Sequence, residues 1–209
     1  ERPVIIAVDQ SRNMYFGSQV AFKSVISAQA AAVFCWLAVD NGDRVGGLVY
    51  SDRSSSLVRP KRSRRSALHL LNQVHRYNQE LQRVTSPDED PPPNPEFRPG
   101  LAAALGQIQR ISKPGSTLYI ISDFMTLDDK ALQYMNQLSR HNNVICCLVY
   151  DVLEENLPVP GIYSITDGSR KGALNTHNSK ARQRYKHQFQ ERMQFLESEL
   201  DKLQIRLIK

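Results

Sequence analysis

The chain has 209 residues, 41% of them apolar and 23% charged, and a net charge of +6 (27 minus 21). That suffices for one large domain or two small ones with a sizeable core, and it excludes a disordered or disulfide-scaffolded chain. No uninterrupted apolar run reaches the length of a membrane span, and the first residues carry no signal-peptide pattern.

The chain opens almost directly on Val4, Ile5, Ile6, Ala7 and Val8, an apolar, β-branched run that reads as a strand covered on both faces. It ends at Asp9. In the polar loop that follows, Asp9, Ser11 and Asn13 alternate with other residues, so an extended turn would point their oxygens the same way. Open α/β sheets bind ligands at this carboxyl edge. Ser18 reads as the N-cap of an alanine-rich helix over 18–40, apolar on most sides and therefore expected to be buried against the sheet.

Asn41-Gly42-Asp43 breaks that helix, and RVGGLVY at 44–50 is the second strand, its paired glycines implying close approach of a neighbouring backbone. A short strand near 56–59 pairs with it as a hairpin. A helix follows over 63–82. TSPDEDPPPNPEFR at 85–98 is a loop, since its five prolines cannot continue a helix or central strand. A helix over 100–112 leads to the strand TLYIIS at 117–122, which also ends on a carboxylate, Asp123. A helix over 127–140 and the strand VICCLVY at 144–150 continue the alternation. The last third gives a β-hairpin from 161 to 174, a helix over 179–203 and an edge strand at 205–208. The helix has a basic first half (Lys180, Arg182, Arg184, Lys186) and an acidic second half (Glu197, Glu199, Asp201), the reverse of what its dipole favours.

Strand–helix alternation predicts an α/β fold with a mainly parallel central sheet and helices on both faces. It forms one domain over 1–209, with a core at 1–150 and the hairpin, helix and edge strand at 151–209. Both ends read as cut points in a longer protein, which leaves room for membrane contact through the flanks. If the strands ending in Asp9 and Asp123 are neighbours, both carboxylates meet at the switch point. With Ser11 and Asn13 they form a hard-oxygen set suited to a hydrated magnesium ion. The alternative is that the two aspartates cap loops and helix ends by hydrogen bonding.

Cys35, Cys146 and Cys147 have no metal-binding spacing, and the adjacent Cys146 and Cys147 cannot easily pair with each other, which fits buried structural thiols in a reducing compartment. A phosphate-handling hydrolase using Asp9 and Asp123 with Mg²⁺ is one rival function. Ser11 stands where its second carboxylate would be, and no glycine-rich phosphate loop exists. Nucleic-acid binding is another, through the basic patch Arg59, Lys61, Arg62, Arg64 and Arg65. That patch lacks interleaved aromatics for base stacking and suits an acidic partner or anionic headgroups better.

The string VDQSRNMYFGS at 8–18 resembles the opening of a von Willebrand factor A module, whose metal-ion-dependent adhesion site begins Asp-x-Ser-x-Ser. Together with ERPV at 1–4, NGDRVGGLVYSD at 41–52, ISDF at 121–124 and GIYSITDG at 161–168, it resembles the bacterial domain-of-unknown-function family fifty-eight. The resemblance implies a six-stranded von Willebrand A-like fold. It also implies a non-enzymatic protein-interaction module, acting as adapter or co-chaperone beside a MoxR-type AAA+ ATPase in complex assembly or maturation. The expected location is the cytoplasm, at the inner face of the bacterial membrane, with no small-molecule substrate.

Carried over by motif, Asp9, Ser11 and Asp123 match the adhesion site and Asn13 replaces its second serine. The family's threonine falls where this chain has Arg98-Pro99-Gly100. The implied site is therefore degenerate, holding Mg²⁺ or Mn²⁺ weakly. The partner is expected on the face built by 9–18, 85–98 and the loop after Asp123, through Arg12, Met14, Tyr15, Phe16, Arg98, Phe124 and Met125.

Overall fold

The computed structural model describes residues 2–83, 100–166 and 171–209. Strand β1 (Pro3–Asp9) leads through a 3-10 turn (Arg12–Met14) to helix α1 (Lys23–Asp40), followed by β2 (Arg44–Tyr50), β3 (Ser55–Lys61) and α2 (Arg64–Arg83). Next come α3 (Leu101–Ile111), β4 (Thr117–Ser122), α4 (Asp129–Ser139), β5 (Asn143–Leu148) and the one-turn α5 (Val152–Glu155). The hairpin β6 (Ile162–Thr166) and β7 (Lys171–Asn175), the long α6 (Ser179–Lys202) and β8 (Arg206–Ile208) complete the order. The expected loop at 85–98, Arg98 included, lies outside the described residues.

The main sheet runs β3-β2-β1-β4-β5-β8, and only β3 is antiparallel to its neighbour. This is the mainly parallel, von Willebrand A-like sheet expected, with helices on both sides. The chain winds outward from β1 in both directions, so the β1–β4 boundary is the switch point at which open α/β sheets hold ligands. β6 and β7 form a separate two-stranded sheet.

Because strand side chains alternate, the sheet builds a core on each face. Ile5, Ala7, Leu48, Tyr50, Leu118, Ile120 and Cys146 meet α3, α4 and α6 on one side. Val4, Ile6, Val8, Val45, Val49, Ile121 and Cys147 meet α1 and α2 on the other. The adjacent cysteines thus face opposite cores and stay free. Burial pushes the Cys35 thiol up to about 12 and Cys147 up to about 11, so both remain inert thiols.

One expectation about α1 needs correction. It begins at Lys23, not Ser18, and its N-cap is Phe22, which offers no capping side chain. It packs against the sheet as expected, on one face. Small residues (Ser24, Ser27, Ala31, Cys35, Ala38) face the sheet, while Ile26, Val33, Trp36 and Leu37 are exposed. By length and hydropathy α1 also reaches what a membrane span requires, which a count of uninterrupted apolar residues missed because serines and Gln29 break the run. In this fold it lies against the sheet.

Candidate functional site: the carboxyl edge between β1 and β4

Asp9 ends β1, and Asp123 follows β4 directly. Both are 2% exposed, and burial with the neighbouring Asp123 charge raises Asp9 from 3.8 to about 6 despite hydrogen bonds from Ser122 and Ser11. Asp9 Oδ1 accepts the Ser11 N–H at 2.9 Å, and Oδ2 accepts the Ser122 hydroxyl at 2.6 Å. The buried Tyr50 phenol also faces Asp9 and Ser122; burial, then the Asp9 charge, pushes its pKa well up. The Asp9 side chain thus accepts from two donors while facing a second carboxylate.

Asp123 is organised differently. Its Oδ1 accepts the Met125 N–H at 3.0 Å, closing a tight turn in which Phe124 adopts φ +53°, rare for an aromatic residue. Its Oδ2 lies 2.8 Å from the Lys23 ammonium, and that same ammonium lies 2.8 Å from Glu154 Oε1. Lys23 is 3% exposed, and lysine is almost never buried unless paired. Its backbone N–H donates to the Phe16 carbonyl at 2.7 Å, so one residue holds the β1–α1 loop, the β4–α4 turn and α5.

A second link runs beside it. Glu154 Oε2 accepts the Asp151 N–H at 2.9 Å, and Asp151 accepts both the Ser18 N–H and hydroxyl. Ser18 therefore ties its loop to α5 instead of capping α1. Gln10 locks the edge from beneath, donating to the Ser24 carbonyl and Ser27 hydroxyl and accepting from Asn78.

Asp9, Ser11 and Asp123 thus lie together at the switch point, but Asn13 does not join them. Residues 12–14 form a 3-10 turn instead of an extended one, and Asn13 is exposed. Of the residues expected to meet a partner, Tyr15 (39% exposed), Phe16 (40%) and Met125 (48%) are on the surface, as is Arg12. Met14 and Phe124 are corrections. At 0% and 5% exposure they are buried, Phe124 in the core that includes α3 and α4. The basic residues Arg59, Lys61, Arg62, Arg64 and Arg65 lie at the opposite edge, because antiparallel β3 ends beside the start of β2.

The donor set does not fit a divalent cation. Each Asp9 oxygen already accepts an N–H or O–H donor, and a fixed ammonium sits on Asp123, so a divalent ion would have to compete with a buried cation for the pair. Among the described residues, no group of three or more His, Cys, Asp or Glu side chains could hold a metal ion. Sequence reading missed Lys23, yet a signal was present. A cation in the first turn of an uncapped helix opposes the helix dipole, and such a violation needs anions nearby to offset it.

Asp9 gives a pH test. Its raised folded pKa means that its stabilising contribution is full below pH about 4 and lost as pH rises through about 6. Asp9→Asn is neutral throughout, its carbonyl can accept from Ser11, and the Ser122 hydroxyl can turn to donate or accept. Between pH 4.5 and 8 the variant should gain about 2 kcal/mol on the parent, read as the difference between their denaturant melts. A gap that stays constant with pH would show that Asp9 is not titrating in this window.

Fold and edge together define a von Willebrand A-like α/β domain with a buried carboxylate pair at its switch point. The model of the family described as Protein of unknown function DUF58 matches residues 1–194, and the chain belongs to that bacterial family. No curated protein matches it significantly. Among solved structures it is similar to BatB from Bacteroides thetaiotaomicron, at 14% identity, with 97% of this chain and 98% of that one covered and a TM-score of 0.50. An aerotolerance-related membrane protein from Bacteroides fragilis shares 16% identity over 90% and 88% of the two chains, with a TM-score of 0.47. A von Willebrand factor type A structure from Catenulispora acidiphila shares 14% identity over 70% of this chain and 33% of that one, with a TM-score of 0.45. At these identities the likeness is one of fold.

Proposed function

We propose that this domain is a non-enzymatic protein-interaction module whose carboxyl edge docks a protein partner. The observation that carries this reading is the exposed apolar group at that edge. Tyr15 and Phe22 pair with ring centroids 4.5 Å apart, and Phe16 and Met125 are exposed on the loops that Lys23 ties down. Large apolar side chains held on fixed loops lose little entropy when covered, which is how interface anchors work. The left-handed turn at Phe124 that precedes Met125 is strain of the kind that collects at functional sites.

The finer reading is an adapter or co-chaperone for a MoxR-type AAA+ ATPase, at the cytoplasmic face of the bacterial membrane. The family resemblance supports the partner class. Buried free thiols suit a reducing compartment, and the basic edge around Arg59 and Arg65 suits an anionic surface.

The test is binding of the domain to a purified MoxR-type ATPase from the same organism, with Tyr15→Glu/Phe16→Glu and Arg59→Glu/Arg65→Glu compared. The first pair should weaken binding at least tenfold, as loss of an anchor does, and the second should leave it near the parent value. Binding that survives the first pair and fails with the second would place the interface at the basic edge and overturn the reading.

A further inference from the structure

A buried positive charge stands at the switch point, where the resemblance implies a metal ion. The Lys23 ammonium is 2.8 Å from one oxygen each of Asp123 and Glu154, and the three side chains are 3%, 2% and 18% exposed. Lysine has no structural reason to open α1. It opposes the helix dipole there, Phe22 supplies no cap, and no acidic residue sits in the first turn. Its position is explained by the carboxylates it meets, which lie 100 and 131 residues further along the chain.

We infer that the Lys23 ammonium is the resident cation of this edge, balancing Asp123 and Glu154 and tying their loops to the Phe16 loop, so that the domain needs no divalent metal. A metal ion ties loops by drawing oxygen ligands from each of them. Lys23 does the same for the Phe16 loop, the Asp123 turn and α5, through two charge-assisted hydrogen bonds and its own backbone N–H. An ion entering beside Asp123 would have to expel the ammonium from one of its two anions. That would leave a buried lysine undercompensated, and Mg²⁺ for its part gives up its water reluctantly.

The inference about folding stands apart from the choice of partner. Its extension, that partner capture is insensitive to chelators, rests on the docking role proposed above. Thermal melts of the isolated domain separate the two, because they involve no partner.

The parent domain should melt at the same temperature in EDTA, in millimolar MgCl₂ and in millimolar MnCl₂. Lys23→Met keeps the side chain's bulk without its charge and should melt several degrees lower. In Lys23→Met/Asp123→Asn, where the orphaned carboxylate is also neutralised, part of that loss should return, since neighbours in one ion pair are not additive. A saturable rise of the parent's melting temperature with Mn²⁺ would overturn the inference. So would a Lys23→Met variant as stable as the parent. If neither variant folds, the parent's metal titration decides alone.

Discussion

Replacing Asp123 with alanine will lower stability by about 3–5 kcal/mol, the usual cost of removing one partner from a buried ion pair. At roughly 2–4 °C per kcal/mol for a domain of this size, the melting temperature should fall by about 6–20 °C. Two losses combine. The Lys23 ammonium, 3% exposed, loses one of the two carboxylates at 2.8 Å from it, and the Met125 N–H loses the acceptor that closes the left-handed Phe124 turn. Asp123→Asn separates them, because an amide carbonyl can still accept from Met125. It should therefore lose less than alanine, and the difference measures the turn. Urea melts of the parent and both variants check this. A loss under about 1 kcal/mol for alanine would mean that the pair behaves like an exposed salt bridge and does not organise the edge.

Gly47→Ala should be at least as damaging, for a steric reason. Gly47 lies opposite Ile6 in the β1–β2 ladder, and an added Cβ would stand 2.2 Å from the Ile6 carbonyl oxygen and 2.8 Å from Leu70 Cδ2. A flexible side chain could move aside; the backbone of a strand hydrogen-bonded on both sides cannot. Overpacking usually costs about 1–3 kcal/mol, and here about 3 kcal/mol or more is expected, with loss of soluble protein a natural outcome. Since β1 ends in Asp9, any shift in its register also disorganises the edge. Gly100→Ala is the control. Its Cβ would meet nothing within 4 Å, and its backbone is extended, so it should stay within about 1 kcal/mol of the parent. Equal stability of Gly47→Ala and Gly100→Ala would contradict the close-approach argument.

That contrast shows what the sequence made legible. The Gly46-Gly47 pair announced a tight strand approach, and the apolar runs announced two strands ending in Asp9 and Asp123, whose adjacency only the sheet order supplies. Both signals are local, and strand periodicity carries them. Met14 and Phe124 were misread for a physical reason: an apolar residue in a polar loop looks exposed until the loop's geometry is known. The 3-10 turn drives Met14 inward, and a positive φ turns Phe124 into the core. Ser18 was assigned as a cap because serine before an apolar stretch commonly is one, yet its partner is Asp151, 133 residues away. Lys23 was hidden most completely. Started at residue 18, the helix carries Lys23 in its second turn as an ordinary polar residue. Started at its true first residue, the same lysine breaks a dipole rule and calls for anions.

The basic first half of α6 breaks the same rule without the same resolution. Asn178 caps the helix with its side chain, and Arg182 reaches back to the Thr176 and His177 carbonyls. Those bonds account for Arg182. Lys180, Arg184 and Lys186 have no comparable explanation in the structure.

The decisive measurement is an anomalous difference map from crystals of the domain equilibrated with MnCl₂. No manganese peak is expected beside Asp9 and Asp123, with the Lys23 ammonium still about 2.8 Å from Asp123 and Glu154. A manganese peak bridging the two aspartates, with Lys23 swung out of the edge, would show that a metal ion and not the lysine holds these loops together.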